Sequence, residues 1–317
     1  VSKLYFFIIN PKSGFHLDIA GVRHMRNYLR QKGHKVQIEP TRSLEHAGQL
    51  ARQALAAGAV TVVVAGGDGT VRTVVDAIAG SEVPILIIPC GTENLLATEL
   101  GLDGSVKQTL ETLESGILRK LDLARANDRH FMAIVGVGFD AEVVRRVHQA
   151  RSGHITHFNY IWPICRTFWE YHFAPMRVEV DGDLVCDEPA LVFVSNIPRY
   201  AVGLGISLDA DLSDGLLDVC IYKCNSRLRL LSHSLLTIMR TSHMSKLILR
   251  RQCREVNISS LDPSALVQID GDPGPSLPLH IKVIPAAAQI LTPPPPKAHL
   301  KYHPPVRMYH LRRWLLG

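Results

Sequence analysis

The sequence predicts an N-terminal α/β domain with a parallel sheet, followed by a C-terminal domain of antiparallel strands packed as a β-sandwich. Two observations predict the first domain. Its apolar runs lack polar alternation, as strands buried on both faces require, and stretches of helical spacing separate them. The second is predicted by a change near residue 126, after which short strand-like segments follow one another with few helices between. At about 150 residues per domain, 317 residues suffice for two. The expected division is 1–125, 126–285, and a terminal piece, 286–317, holding the last strand, a proline spacer and a basic tail.

Lys3–Ile9 is a continuous apolar strand ending in the turn Asn10-Pro11-Lys12-Ser13-Gly14. Ile19, Val22 and Leu29 space residues 18–32 as a helix closed by Gly33, and Lys35–Glu39 alternates as a short strand. Residues 44–57 form an alanine-rich helix stopped at Gly58. Val60–Ala65 and Pro84–Pro89 are two more buried strands, with a helix over Val71–Ala79 between them and another opening at Asn94. In the second half the strand candidates are Phe131–Val137, Met176–Val180, Leu184–Cys186, Leu191–Ser195, Leu217–Tyr222, Glu255–Ser259, Ala265–Ile269 and Leu279–Pro285. Helices interrupt them near 141–150, 156–171 and 227–244, and Asp181-Gly182 has the chemistry of a tight hairpin turn. Pro293 to Pro296 form a stiff spacer before the tail.

A hydrophobic content of 46% with 20% charged residues fits packed cores rather than disorder. The longest apolar runs fall well short of the ~20 residues of a spanning helix, and Leu4–Ile9 is too short for a signal peptide. The net charge of +6 is unevenly placed: all 29 acidic and 29 of the 35 basic side chains lie in residues 1–272. The body is thus formally neutral and no nucleic-acid partner is expected. Six cysteines without C-x-x-C spacing read as isolated thiols of a cytoplasmic protein.

The segment from Val62 to Arg72 is the most informative. A buried strand runs into Gly66-Gly67-Asp68-Gly69-Thr70 and a helix begins, an arrangement that lets backbone N–H groups approach a phosphate. It is neither G-x-G-x-x-G nor a P-loop. An aspartate in such a loop repels phosphate unless it serves a metal or a proton transfer, which singles out Asp68. Two further polar turns, Asn10 to Gly14 and Pro89-Cys90-Gly91-Thr92-Glu93-Asn94, follow strands of the same sheet, where ligands of open α/β sheets bind.

These three turns together, followed by Gly136-Val137-Gly138-Phe139-Asp140-Ala141, Asp214-Gly215-Leu216-Leu217-Asp218-Val219 and Ile269-Asp270-Gly271-Asp272, resemble the diacylglycerol kinase catalytic-domain family, which includes sphingosine and ceramide kinases. The motifs occur in order over roughly residues 5–285. The resemblance implies an ATP- and Mg²⁺-dependent lipid kinase with its active site in the cleft between the domains. It also implies that strands near 280–292 return to the first domain. Asn10, Thr41, Gly66, Gly67, Asp68, Gly69, Thr70 and Thr92 would line the nucleotide site, with Asn94 in the third motif, and Lys12 would supply a point charge. Asp68 would act in the phosphate and magnesium network, Asp214 would help hold magnesium, and Asp272 or Asp270 would be the base, with Asp272 favoured.

Three positions depart from the family pattern: Asp272 replaces the usual glutamate, Leu95 stands where many bacterial relatives have aspartate, and Asp76 replaces an asparagine. A nicotinamide-dinucleotide kinase shares the Gly-Gly-Asp-Gly-Thr turn but would show Asn-x-Gly-x-x-Gly-Phe in place of Gly91-Thr92-Glu93-Asn94. The other alternative is a catalytically silent lipid-binding protein on the same scaffold, which the short Asp272 and Leu95 favour and Asp68 and Asp214 oppose.

Among weaker signals, His154 and His157 read as a solvated loop rather than a metal site. Trp162, Phe168, Trp169, Tyr171 and Phe173 read as a core helix or as a lipid-acceptor wall. Residues 227–254 carry seven basic side chains and no acid, which suits either a solvated helix or a surface facing anionic lipid. The expected partners are a lipid substrate and, peripherally, a membrane, to which the tail's charge would contribute; a homodimer is left open.

Overall fold

A computed structural model describes residues 1–13, 19–150, 158–200 and 204–294. His154, His157, Gly14 and the basic tail lie outside them. The first half runs β1 (Leu4–Ile9), α1 (Ile19–Gln31), β2 (Lys35–Pro40), α2 (Leu44–Ala56), β3 (Thr61–Gly66), α3 (Asp68–Ala77), β4 (Ile85–Pro89), α4 (Leu95–Glu99) and α5 (Val106–Ser115). β1 pairs in parallel with both β2 and β3, and β3 pairs in parallel with β4, giving the order β2-β1-β3-β4. Helix pairs α1–α5 and α2–α3 pack together, and Leu29, Leu50, Val74 and Val75 join Phe6, Phe7 and Val62 to Val64 in one core. That coverage is why these strands show no polar alternation.

The second half adds β5 (Ile117–Ala126), β6 (Arg129–Phe131), β7 (Ile134–Val137), α6 (Phe139–Gln149), α7 (Phe158–Glu170), β8 (Pro175–Val180), β9 (Asp183–Ser195), and the two-residue β10 (Arg199–Tyr200) and β11 (Leu204–Gly205). Then come β12 (Leu217–Lys223), α8 (Arg227–Ile238), β13 (Ile248–Cys253), β14 (Glu255–Ser259), β15 (Val267–Ile269), β16 (Asp272–Pro273) and β17 (Leu279–Thr292). β9 turns the corner of the sandwich. Its first half pairs with β8, its second with β7 and β12, all antiparallel. Asp181 and Gly182 both take positive φ in the β8–β9 hairpin, as its two-residue turn demands. The two leaves enclose Met176, Val178, Val192, Val194, Leu217, Val219, Val256 and Ile258. A third core, on the outer face of β7, β9 and β12, packs under α6, α7 and α8.

β17 joins the halves. Its first part pairs with β14, and after a bulge at residues 285–287 its second part reaches β4, Ile290 lying beside Ile85. β5 runs along both parts, so the division at 285/286 falls inside a single strand. All six cysteines are free, five of them buried.

Candidate active site

Because β1 to β4 are parallel, their carboxyl ends share one edge, and β1, with neighbours on both sides, marks the point where strand order reverses. Three loops interlock there. Asn10 donates from Nδ2 to Thr70 Oγ1 at 2.8 Å, and Gly67 N–H donates to Ser13 Oγ at 3.3 Å. Thr41, buried at the end of β2, donates its N–H to Ile9 O at 2.7 Å. Asn94 takes a left-handed conformation and closes the β4 loop on itself, exchanging hydrogen bonds of 2.8 Å with Gly91. A Cβ on Gly91 would stand 2.7 Å from the Gly67 Cα, so only glycine lets these two backbones meet. Gly67 caps α3 without a side chain, which leaves the positive end of that helix facing the crevice.

The carboxylates follow. Asp68 Oδ1 accepts the Leu95 N–H at 2.8 Å, a contact indifferent to the side chain at position 95. Burial, with the charge of Asp270 nearby, pushes Asp68 up to about 6. Asp270 accepts three backbone N–H groups, from Met132 at 3.0 Å, Ala133 at 3.0 Å and Ile134 at 2.9 Å. Burial raises its pKa despite these donors and Arg72. Asp272 is differently placed, its side chain one-third exposed (33%). Arg72, buried on α3, grips its Oδ2 at 2.5 Å and also donates to Ile269 O at 3.3 Å. Arg129 reaches the same oxygen at 3.3 Å, and His148 Nε2 lies 3.5 Å from Oδ1. Arg72 thus ties the glycine-rich helix of the first half to the Asp270-Gly271-Asp272 turn of the second.

The first-half residues singled out in the sequence share this edge: Asn10, Thr41, Gly66 to Thr70, Thr92 and Asn94. Lys12 is exposed beside it, its backbone N–H bonded to Asn10 Oδ1 at 3.0 Å. Asp214 stands on an exposed loop of the second half, its Oδ1 capping Leu216 N–H at 2.9 Å. Asp76 pairs with His130.

Sequence reasoning passed over Arg72, Arg129, His148, Asp122 and Asn196. Asp122 is the lone acid within Leu121-Asp122-Leu123 of β5, a charge in a buried strand and hence a legible signal. It accepts Gly215 N–H at 2.6 Å and Ala286 N–H at 2.7 Å, fastening the Asp214 loop to the bulge of β17. Asn196 donates from Nδ2 to Asp122 O at 2.9 Å and Met132 O at 3.2 Å, while its own N–H bonds Ala133 O at 2.8 Å. It therefore holds the loop whose N–H groups hold Asp270. We expect Asn196→Ala, which strips a donor from two buried carbonyls, to cost about 1–3 kcal/mol in denaturant titration. It should also lower kcat more than KM.

Among the described residues no group of three or more His, Cys, Asp or Glu side chains converges to hold a metal. Mg²⁺ does not need one, since it is commonly bound by one or two carboxylates together with substrate phosphates and waters. Asp68, half-buried at an N-terminus that no side chain caps, is the carboxylate that fits such an ion with its phosphates, whereas Asp270 already has its oxygens engaged by backbone N–H groups. An edge that attracts phosphate and crowds carboxylates against it is suited to moving a phosphoryl group, which makes the class a phosphotransferase.

Comparison with known proteins agrees. Residues 4–126 match the diacylglycerol kinase catalytic domain, and residues 133–292 match the YegS C-terminal NAD kinase beta sandwich-like domain. A diacylglycerol kinase of Mycobacterium tuberculosis is 30% identical over 295 residues, covering 90% of this chain and 94% of the relative. A YegS-like lipid kinase of Shewanella frigidimarina is 25% identical over 300 residues, covering 90% and 93%. In fold, the structure of a candidate diacylglycerol kinase from Bacillus anthracis superimposes with a TM-score of 0.73 at 22% identity, covering 92% of this chain and 98% of that one. The chain belongs to the diacylglycerol kinase family and is a lipid kinase.

Proposed function

We propose that the protein transfers the γ-phosphoryl group of ATP, with Mg²⁺, to the hydroxyl of a diacylglycerol- or sphingosine-like lipid at a membrane surface. The observation that carries this reading is that Asp68, opening α3 where no side chain caps it, feels the charge of Asp270 from the turn after β15, so that carboxylates of both halves converge beside a helix N-terminus. Residues 1–125 bind the nucleotide and 126–285 the lipid. Asn10, Thr41, Gly66, Gly67, Gly69, Thr70, Thr92 and Asn94 line the phosphate edge, and Lys12 adds an exposed positive charge. Asp68 would hold Mg²⁺, and Asp214, on its exposed loop, would assist. When bound, the ion neutralises charge on the phosphates.

The chain's own residues do the rest. Asp272 takes the proton of the acceptor hydroxyl, since its carboxylate is reachable while both oxygens of Asp270 are occupied by backbone N–H groups. Arg72 and Arg129 orient Asp272, and Asp270 fixes the turn that presents it. Gly91→Ala, which forces the β3 and β4 loops apart, is expected to raise the KM for ATP about tenfold while leaving the lipid KM unchanged.

The deciding experiment is transfer of labelled phosphate from ATP by purified protein to diacylglycerol, ceramide, sphingosine and NAD in mixed micelles. Relatives named diacylglycerol kinase make diacylglycerol the first acceptor to try. Label entering a lipid supports the reading. Label entering NAD alone overturns it, and nucleotide binding without transfer points to a silent protein.

A further inference from the structure

Helix α8 is inside out. Its buried residues, Leu230, His233 and Thr237, are mostly polar and are fixed by hydrogen bonds: His233 Nε2 with Lys223 O at 3.0 Å, and Thr237 Oγ1 with Tyr222 Oη at 3.3 Å. On the nearly opposite face, Leu228, Leu231, Leu235 and Ile238 recur at spacings of three and four residues and point to solvent, Leu228 80% exposed. Met239 and Met244 prolong this stripe past the helix end. α7 also turns apolar side chains outward. Thr167 and Pro163 are buried and Phe168 packs on the core, while Ile161, Trp162 and Trp169 are outside, the tryptophans 74% and 69% exposed.

The two helices meet at their ends. Arg227, opening α8, donates to Trp169 O at 2.5 Å and Phe168 O at 3.3 Å at the end of α7. Both helices pack on the third core, which Leu95 of the strand-end edge also touches, so they sit on the same core as that edge.

Its rim is cationic. Arg240, Lys246 and Arg251 are exposed beside the stripe, residues 227–254 hold no acid, and none of their basic side chains makes an ion pair among the described residues. A second copy docked face to face would set this rim against itself, since a two-fold contact uses the same patch twice. Unpaired positive charge around an apolar stripe with tryptophans suits the interface of an anionic bilayer.

We propose that the outward faces of α7 and α8 dock the protein on an anionic lipid bilayer, with the apolar side chains at the acyl boundary and the arginines and lysine among the headgroups. This deepens the reading of a lipid acceptor and rests on it, because docking here holds the cleft against the layer that contains the substrate.

The test uses the full chain and vesicles of phosphatidylglycerol and phosphatidylcholine at about 3:7. Leu231→Ser with Leu235→Ser and Ile238→Ser is expected to lower vesicle partitioning about tenfold. Arg240→Gln with Lys246→Gln and Arg251→Gln should abolish the preference for these vesicles over pure phosphatidylcholine. Both variants should phosphorylate sub-micellar dioctanoylglycerol within about twofold of wild type, showing that fold and site are intact. Partitioning of both variants within about twofold of wild type overturns the proposal. So does unchanged partitioning accompanied by dissociation of a wild-type dimer in the apolar variant. Wild-type partitioning that depends on these side chains, without transfer to any lipid, upholds the docking surface and refutes the kinase reading separately.

Discussion

Asp68→Asn is expected to reduce phosphoryl transfer by about 10³-fold or more while making the ligand-free protein more stable at pH 7.5. The sign follows from the site. In the folded chain Asp68 ionises only near pH 6, because burial and the neighbouring Asp270 oppose its charge. In the unfolded chain it ionises from about pH 4. At pH 7.5 the carboxylate is charged in both states, so the fold bears the difference, on the order of 1–3 kcal/mol. Asparagine removes that cost and keeps an acceptor for the Leu95 N–H. The gain should shrink as pH falls through 6 and vanish only below about pH 4, where both states hold the acid protonated. Thermal melts of both proteins from pH 4 to 8, beside the transfer assay, check it. An unchanged or lower Tm at pH 7.5 would show that Asp68 is comfortable as an anion, and normal turnover would remove it from the site.

The second large effect concerns Asp272. Asp272→Asn should lower kcat by about 10²–10⁴-fold with little change in KM for either substrate. Asp272→Glu, which restores the reach usual in the family, should retain at least about a tenth of wild-type activity. The asparagine variant also leaves Arg72 buried without its anionic partner, so some stability is lost with activity. Assaying turnover well below the Tm of each variant separates the two causes, since lost stability lowers only the folded fraction while loss of the base lowers the kcat of folded molecules. Asp270→Asn should behave differently. Its amide would turn an N–H toward the Met132 to Ile134 donors and cost about 1–3 kcal/mol. If Asp272→Asn turns over normally while Asp270→Asn is inert yet folded, the base is Asp270.

Much of this was legible in the sequence where the signal is local. β1, β3 and β4 are runs buried on both faces, and their glycine and asparagine turns mark the edge where ligands bind. Asp181-Gly182 specified its own hairpin. β13 and the α5–β5 unit were not legible. β5 reads Ile-Leu-Arg-Lys-Leu-Asp-Leu-Ala-Arg-Ala, half exposed and half buried, and its place is set by pairing with β17 more than 150 positions later. Leu184–Cys186 and Leu191–Ser195 looked like separate strands because β9 changes partners midway.

The same division runs through the site. The sequence by itself determined the class of fold, the phosphate-handling turns and the acids that attend them, because those depend on glycine conformation, strand burial and charge within a few neighbouring residues. Tertiary structure alone decided that Arg72 meets Asp272 across 200 positions and that Asn196 and Asp122 brace the Asp270 turn and the Asp214 loop. It also decided which face of α8 lies outward. Leucines occupy both sides of that helix, and helical periodicity records spacing without direction. Only the sheet beneath it chose the face carrying Leu230, His233 and Thr237 and left the more apolar face outside.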